Sequence, residues 1–113
     1  MIELMVDVRY LEPIAMVCLC VCFMDGVISE EEEEALFFEL SEYFSIGKAE
    51  FEDLVNKFFE SNVKLKTAAE NISENEIRKL ALSIAKVSAE ADGLDSRENI
   101  AWQKIQKIWG LEK

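Results

Sequence analysis

Histidine is absent from this 113-residue chain, which has only three cysteines, four glycines and one proline. With no imidazole, neither a histidine general base nor a histidine metal ligand is available. A glycine-rich phosphate loop and a nucleophile elbow are missing too, so nucleotide binding of the usual kinds and triad hydrolysis have no sequence support. A carboxylate pair in an apolar cleft could still move protons, but no pair stands out, and the chain reads as non-enzymatic.

Long hydrophobic runs are also lacking. The longest uncharged stretch, Pro13 to Met24, falls well short of the roughly 18–20 residues a membrane helix needs, and no basic flank or small-residue cleavage site marks a signal peptide. A soluble, cytoplasmic protein without membrane insertion is expected. Cys18, Cys20 and Cys22 lie in that run at i, i+2, i+4. This spacing cannot close a disulfide within a helix, and without a fourth cysteine or a C-x-x-C pair the three read as small core residues.

Basic residues are scarce: 12 against 23 acidic, for a net charge of −11. Residues 1–60 carry fifteen acidic side chains against Arg9, Lys48 and Lys57, while residues 61–113 carry eight acidic and nine basic. The excess negative charge therefore sits in the first half. Such a field repels nucleic acid and anionic membrane and suits cations or the basic surface of a protein partner, beyond its simpler effect of keeping the chain in solution.

Half of the residues are hydrophobic, enough for one domain over 1–113 with its own core. The periodicity is helical throughout. Ser29 with Glu32, and Ser73 with Glu76, have capping-box spacing, the latter stapled by Ile72 and Ile77; Gly47 with Glu50, and Asp95 with Glu98, repeat the pattern. The Ser29 helix should bury Leu36, Phe37, Leu40, Tyr43 and Phe44, and the Gly47 helix Phe51, Leu54, Val55, Phe58 and Phe59. The Ser73 helix should bury a stripe from Ile77 through Leu80, Ala81, Ile84, Ala85, Val87 and Ser88 to Ala91. A short helix through Leu65, Ala68 and Ala69 joins the halves. The run Ile14–Met24, apolar on every side, must be central, with Pro13 in its first turn. Residues 1–10 alternate as a strand would, but have no second strand to pair with, and read as a helix or extended arm.

Two turns are alike. Met24-Asp25-Gly26-Val27-Ile28-Ser29 and Ala91-Asp92-Gly93-Leu94-Asp95 each join an apolar helix to a capped amphipathic one, and the stripe Ala101, Trp102, Ile105, Ile108, Trp109 repeats the spacing of Leu36 to Phe44. The unit helix, Asp-Gly turn, helix thus occurs twice. Two copies are too few for a solenoid, so an all-α domain of two pseudo-symmetric units is expected.

This pattern resembles the TerB-like family, the helical domains named for tellurite-resistance TerB and also seen in membrane-anchored DnaJ-type co-chaperones. Its signature is an apolar helix ending in a small residue and Asp-Gly, then any residue, an aliphatic, a capping residue and a Glu two residues later. Residues 24–32 fit it with Met24 in place of Ala; residues 90–98 have Ala-Asp-Gly but lack the spacer before Leu94. The resemblance covers residues 11–111. It implies a compact all-α fold with the two acidic turns near one another, a link to tellurite and chemical-stress responses, and a suspected metal-binding role for the turns.

Asp25, Gly26, Ile28 and Glu32 also have the spacing of the second half of an EF-hand loop. Val21 and Phe23 would occupy the first two ligand positions and offer no oxygen, while the second copy places Asn99 where the bidentate Glu belongs. An ordinary EF-hand is excluded. A site shared between the turns, with Asp25, Glu32, Asp92, Asp95 and Glu98 around Ca²⁺ or Mg²⁺, is the alternative. The leading expectation is an acidic protein-binding face centred on Glu30, Glu31 and Glu34, with Gly26, Gly93, Ser29 and Ser73 serving turns and caps. Capping accounts for Ser29 and Glu32 but not for five consecutive glutamates, since Glu30 and Glu34 repel one another across one helical turn. They form a solvated face, a partner site or a cation site.

Overall fold

A computed structural model describes residues 6–24, 26–93 and 96–111, except for the side chains of Asp92 and Ser96. The chain runs through a 3₁₀ turn, Val8–Tyr10, and then α1 (Leu11–Cys22), α2 (Glu30–Tyr43), α3 (Lys48–Ser61), α4 (Leu65–Glu70) and α5 (Asn75–Ala89). A second 3₁₀ turn, Glu90–Asp92, leads into α6 (Ser96–Ile108). The architecture is all-α, with no strand among the described residues. The alternating N-terminal pattern resolves from residue 6 onward into an arm: the Val6 N–H donates to Tyr43 O (2.9 Å) and the Tyr10 hydroxyl to the Glu74 carboxylate. Residues 1–5 of that expectation lie outside the described residues.

The uncharged run is the centre, as expected, but only as far as Cys22: Met24, beyond the end of α1, is 41% exposed. Every residue from Ile14 to Cys22 is buried, because α1 is packed by α5 on one side and by α3, α4 and α6 on others. Pro13 takes the third helical position, where a missing N–H costs no intrahelical bond. The cysteines are free thiols inside this core, and Cys18 and Cys20 direct their sulfurs at Ala81 O and Val63 O. Burial pushes both thiols up, Cys20 to about 11 and Cys18 further. With a Cα radius of gyration of 12.9 Å, the chain has the size of one domain, about 13 Å for 100 residues.

α2 packs on α5 and on the Glu90–Asp92 turn, while α6 packs on α1, α4 and α5. Two indole donors anchor α6, with Trp102 Nε1 donating to Leu82 O and Trp109 Nε1 to Ala69 O, each at 2.8 Å. Leu36 and Leu40 on α2 with Phe44 at its C-cap, and Ala101, Ile105 and Trp109 in the second copy, are buried as their spacing requires. Four expectations are corrected. Ile108, in the last position of α6, is 40% exposed, since Ile105 and Trp109 take the core side. On α3, Phe59 is 49% exposed, leaning edge-on against Phe23 and Phe58. Val87 lies about 200° around α5 from buried Ala85 and faces out. Ala91 is exposed because the helix has already tightened into the 3₁₀ turn.

The Ser73 cap is also corrected. α5 starts at Asn75 with Glu74 as N-cap, and no side chain caps it. One tertiary and one local bond hold this corner instead: Tyr10 engages Glu74, and Arg78 Nε, from the first turn of α5, donates to Ile72 O at 2.7 Å. Ile72 itself is buried.

Candidate functional site

The glycines of the two Asp-Gly corners adopt the same conformation. Gly26 has φ +90° and Gly93 φ +93°, values in the left-handed region where a side chain is strained. The Gly26 N–H donates to Phe23 O (2.9 Å) and the Gly93 N–H to Glu90 O (3.1 Å), the same bond to the carbonyl three residues back in both copies. Each corner then feeds a helix whose third residue is a buried glutamate, Glu32 at 2% exposure and Glu98 at 1%.

Glu32 is accounted for. Its Oε1 accepts from the Ser29 N–H (2.9 Å) while its own N–H donates to Ser29 Oγ (3.1 Å), a complete capping box at the positive end of the helix dipole. Four residues on, Leu36 shares its face; in the second copy, Ala101 follows Glu98 by three. Both steps straddle the 3.6-residue period, so the shortened copy still buries the matching glutamate and the matching stripe.

Of the cation ligands expected from the sequence, Asp25, Asp95 and the side chain of Asp92 lie outside what is described. Among the described residues no three acidic or cysteine side chains are placed to hold a metal ion. Glu32 serves its cap, and α2 packs on the second turn.

The surplus glutamates gather elsewhere. Glu30, Glu33 and Glu34 line a pocket of about 210 Å³ with Phe37 from α2 and Lys48, Phe51 and Glu52 from the first turns of α3. The Phe37 and Phe51 rings meet at 5.4 Å, tilted by 56°, and form its apolar floor. Lys48 Nζ stands 5.8 Å from the centroid of the Phe37 ring. No ion pair engages Glu30, Glu31, Glu33, Glu34 or Glu52 among the described residues. A wider groove across α1 and α3 also carries more acid than base, Glu12, Glu50 and Asp53 against Lys57, but there the lysine is engaged in an ion pair with Glu12 at 2.9 Å.

Two of the three face residues expected from the sequence, Glu30 and Glu34, are therefore brought together, whereas Glu31 is exposed and does not line the pocket. Glu33, Glu52, Phe37, Phe51 and Lys48 complete the site and escaped the sequence reading as a set. Half of the signal was present: Glu30, Glu33, Glu34 and Phe37 stand at i, i+3, i+4 and i+7, one helix face. The α3 half depends on how two helices meet, which spacing within either one does not encode. Comparison with known protein families, curated proteins and solved structures finds no match.

Proposed function

We propose that this chain is a non-enzymatic, TerB-like binding module of the stress-response kind, whose acidic α2–α3 face docks a protein partner with a basic surface. One observation carries the docking reading. The fold uses one buried glutamate per unit, Glu32 and Glu98, yet the first unit adds Glu30, Glu31, Glu33 and Glu34, and none of these finds an ion pair among the described residues. Like charges one turn apart cost a helix roughly 0.2–0.5 kcal/mol per pair. A basic partner converts that cost into attraction and steers association over about 10 Å at 0.1 M salt. The matched turns support the TerB-like part of the reading.

The test is affinity capture of partners at low and high salt, by wild type and by a variant with Glu30, Glu31 and Glu34 each changed to Lys. The reading expects capture that weakens with salt and is lost on charge reversal. Salt-indifferent capture, or capture unchanged by the reversal, overturns it.

A further inference from the structure

The α2–α3 pocket offers more than charge, and its chemistry narrows what it accepts. A bare divalent cation wants six to eight oxygens or so within about 2.6 Å, and the described carboxylates are not grouped for that. Two phenyl rings make up the floor instead. At about 210 Å³ the pocket is below the roughly 300–1,000 Å³ of sites that enclose a drug-sized molecule. The end of one side chain matches it better than a free metabolite.

The kind of side chain follows from floor and rim together. The Phe37 ring already faces an ammonium, that of Lys48, so an aromatic face at this place is open to a cation. Lys48 leaves the pocket undercompensated, with Glu30, Glu33, Glu34 and Glu52 around one lysine. Lysine and arginine are not equivalent guests. A guanidinium is planar, weakly hydrated and able to stack on a ring while its N–H groups reach carboxylates on two sides; an ammonium is a strongly hydrated point charge.

Resting on the docking reading above, we infer that this pocket is the anchor point of the acidic face: it takes an arginine side chain of the basic partner, stacked on Phe37 between the glutamates of α2 and Glu52 of α3. Lys48 is the internal cation that the arginine displaces. The segment that carries it lies across the first turns of α2 and α3, where Glu30, Glu33 and Glu34 meet its remaining positive charge.

The test uses the full chain and two synthetic probes, a peptide of alternating arginine and glycine and its lysine counterpart of equal charge, titrated by calorimetry and by NMR. The arginine peptide should bind about 2- to 5-fold more tightly than the lysine peptide, the worth of a cation–π contact at an exposed site, and should shift the signals of Phe37, Lys48 and Phe51. Phe37→Leu, which keeps an apolar side chain against the core, should remove the arginine preference. Lys48→Ala should tighten arginine binding more than Lys57→Ala, which makes the same change in charge beside the other groove. Salt-sensitive binding with no arginine preference, or a preference that survives Phe37→Leu, overturns the pocket while leaving the docking face intact. Absence of binding by either peptide overturns both.

Discussion

The two helix, Asp-Gly turn, helix units share the conformation of their glycines and differ in charge. Both corners have a glycine near φ +90°, the same closing hydrogen bond and a buried glutamate in the third position of the following helix. Beyond that glutamate they diverge. α2 carries Glu30, Glu31, Glu33, Glu34, Glu39 and Glu42 with no basic residue, whereas α6 carries Arg97, Lys104 and Lys107. What recurs is what the corner needs. What occurs once is free to serve something outside the fold, and this separates Glu32 from its acidic neighbours more sharply than their position in one run of five suggests.

If the units are structurally equivalent, equivalent lesions should cost alike. Leu40→Ala and Ile105→Ala remove fully buried side chains at matching places and should each lose about 2–5 kcal/mol in chemical denaturation. A loss confined to one of them would break the equivalence. Gly26→Ala and Gly93→Ala find open space for the new methyl group but a positive φ, so each should cost about 1–2 kcal/mol from backbone strain alone.

Caps sharpen the comparison further. Ser29→Ala removes an observed cap and should lower stability by about 1 kcal/mol. Ser73→Ala has no such bond to lose and should stay within about 0.5 kcal/mol of wild type, although the two serines open the same sequence pattern. Smallest is Glu34→Gln, which relieves repulsion with Glu30 and should raise stability by about 0.2–0.5 kcal/mol, the sign opposite to that of every lesion above.

The cysteines add a pH dependence. Cys20 is held protonated when folded up to about 11, against an ordinary 9.0. Above the unfolded value the unfolded chain releases a proton that the folded chain keeps, so this contribution is complete below about 9 and falls as pH rises toward about 11. The difference in stability between wild type and Cys20→Ala, followed from pH 8 to 11, should shrink across that window. Native protein should also resist thiol alkylation, because all three sulfurs are buried and the reactive thiolates of Cys18 and Cys20 are suppressed.

Most of the fold was legible because its determinants are local. An apolar run without charge had to be the central helix. Ser29 and Glu32 lie three residues apart, so the capping box needs nothing from the rest of the chain, and the Asp-Gly corners need only glycine's freedom at positive φ. Ser73 shows the limit of that logic: its pattern is the same, but Tyr10, from a distant segment, engages Glu74, Arg78 of the helix itself reaches back to Ile72 O, and the helix begins at Asn75. The expected five-ligand cation site involves Asp25, Asp95 and the Asp92 side chain, which lie outside what is described.

The acidic site divides along the same line. That Glu30, Glu33, Glu34 and Phe37 share a face follows from the 3.6-residue period alone. That this face meets Phe51, Lys48 and Glu52 depends on where α3 docks, and that docking is set by Phe51, Val55 and Phe58 burying themselves in a core built mainly by α1. Charge, caps and turns act over a few residues and can be read along the chain. A pocket exists only where two such segments are pressed together, and the hydrophobic packing that presses them is non-directional and belongs to the whole molecule.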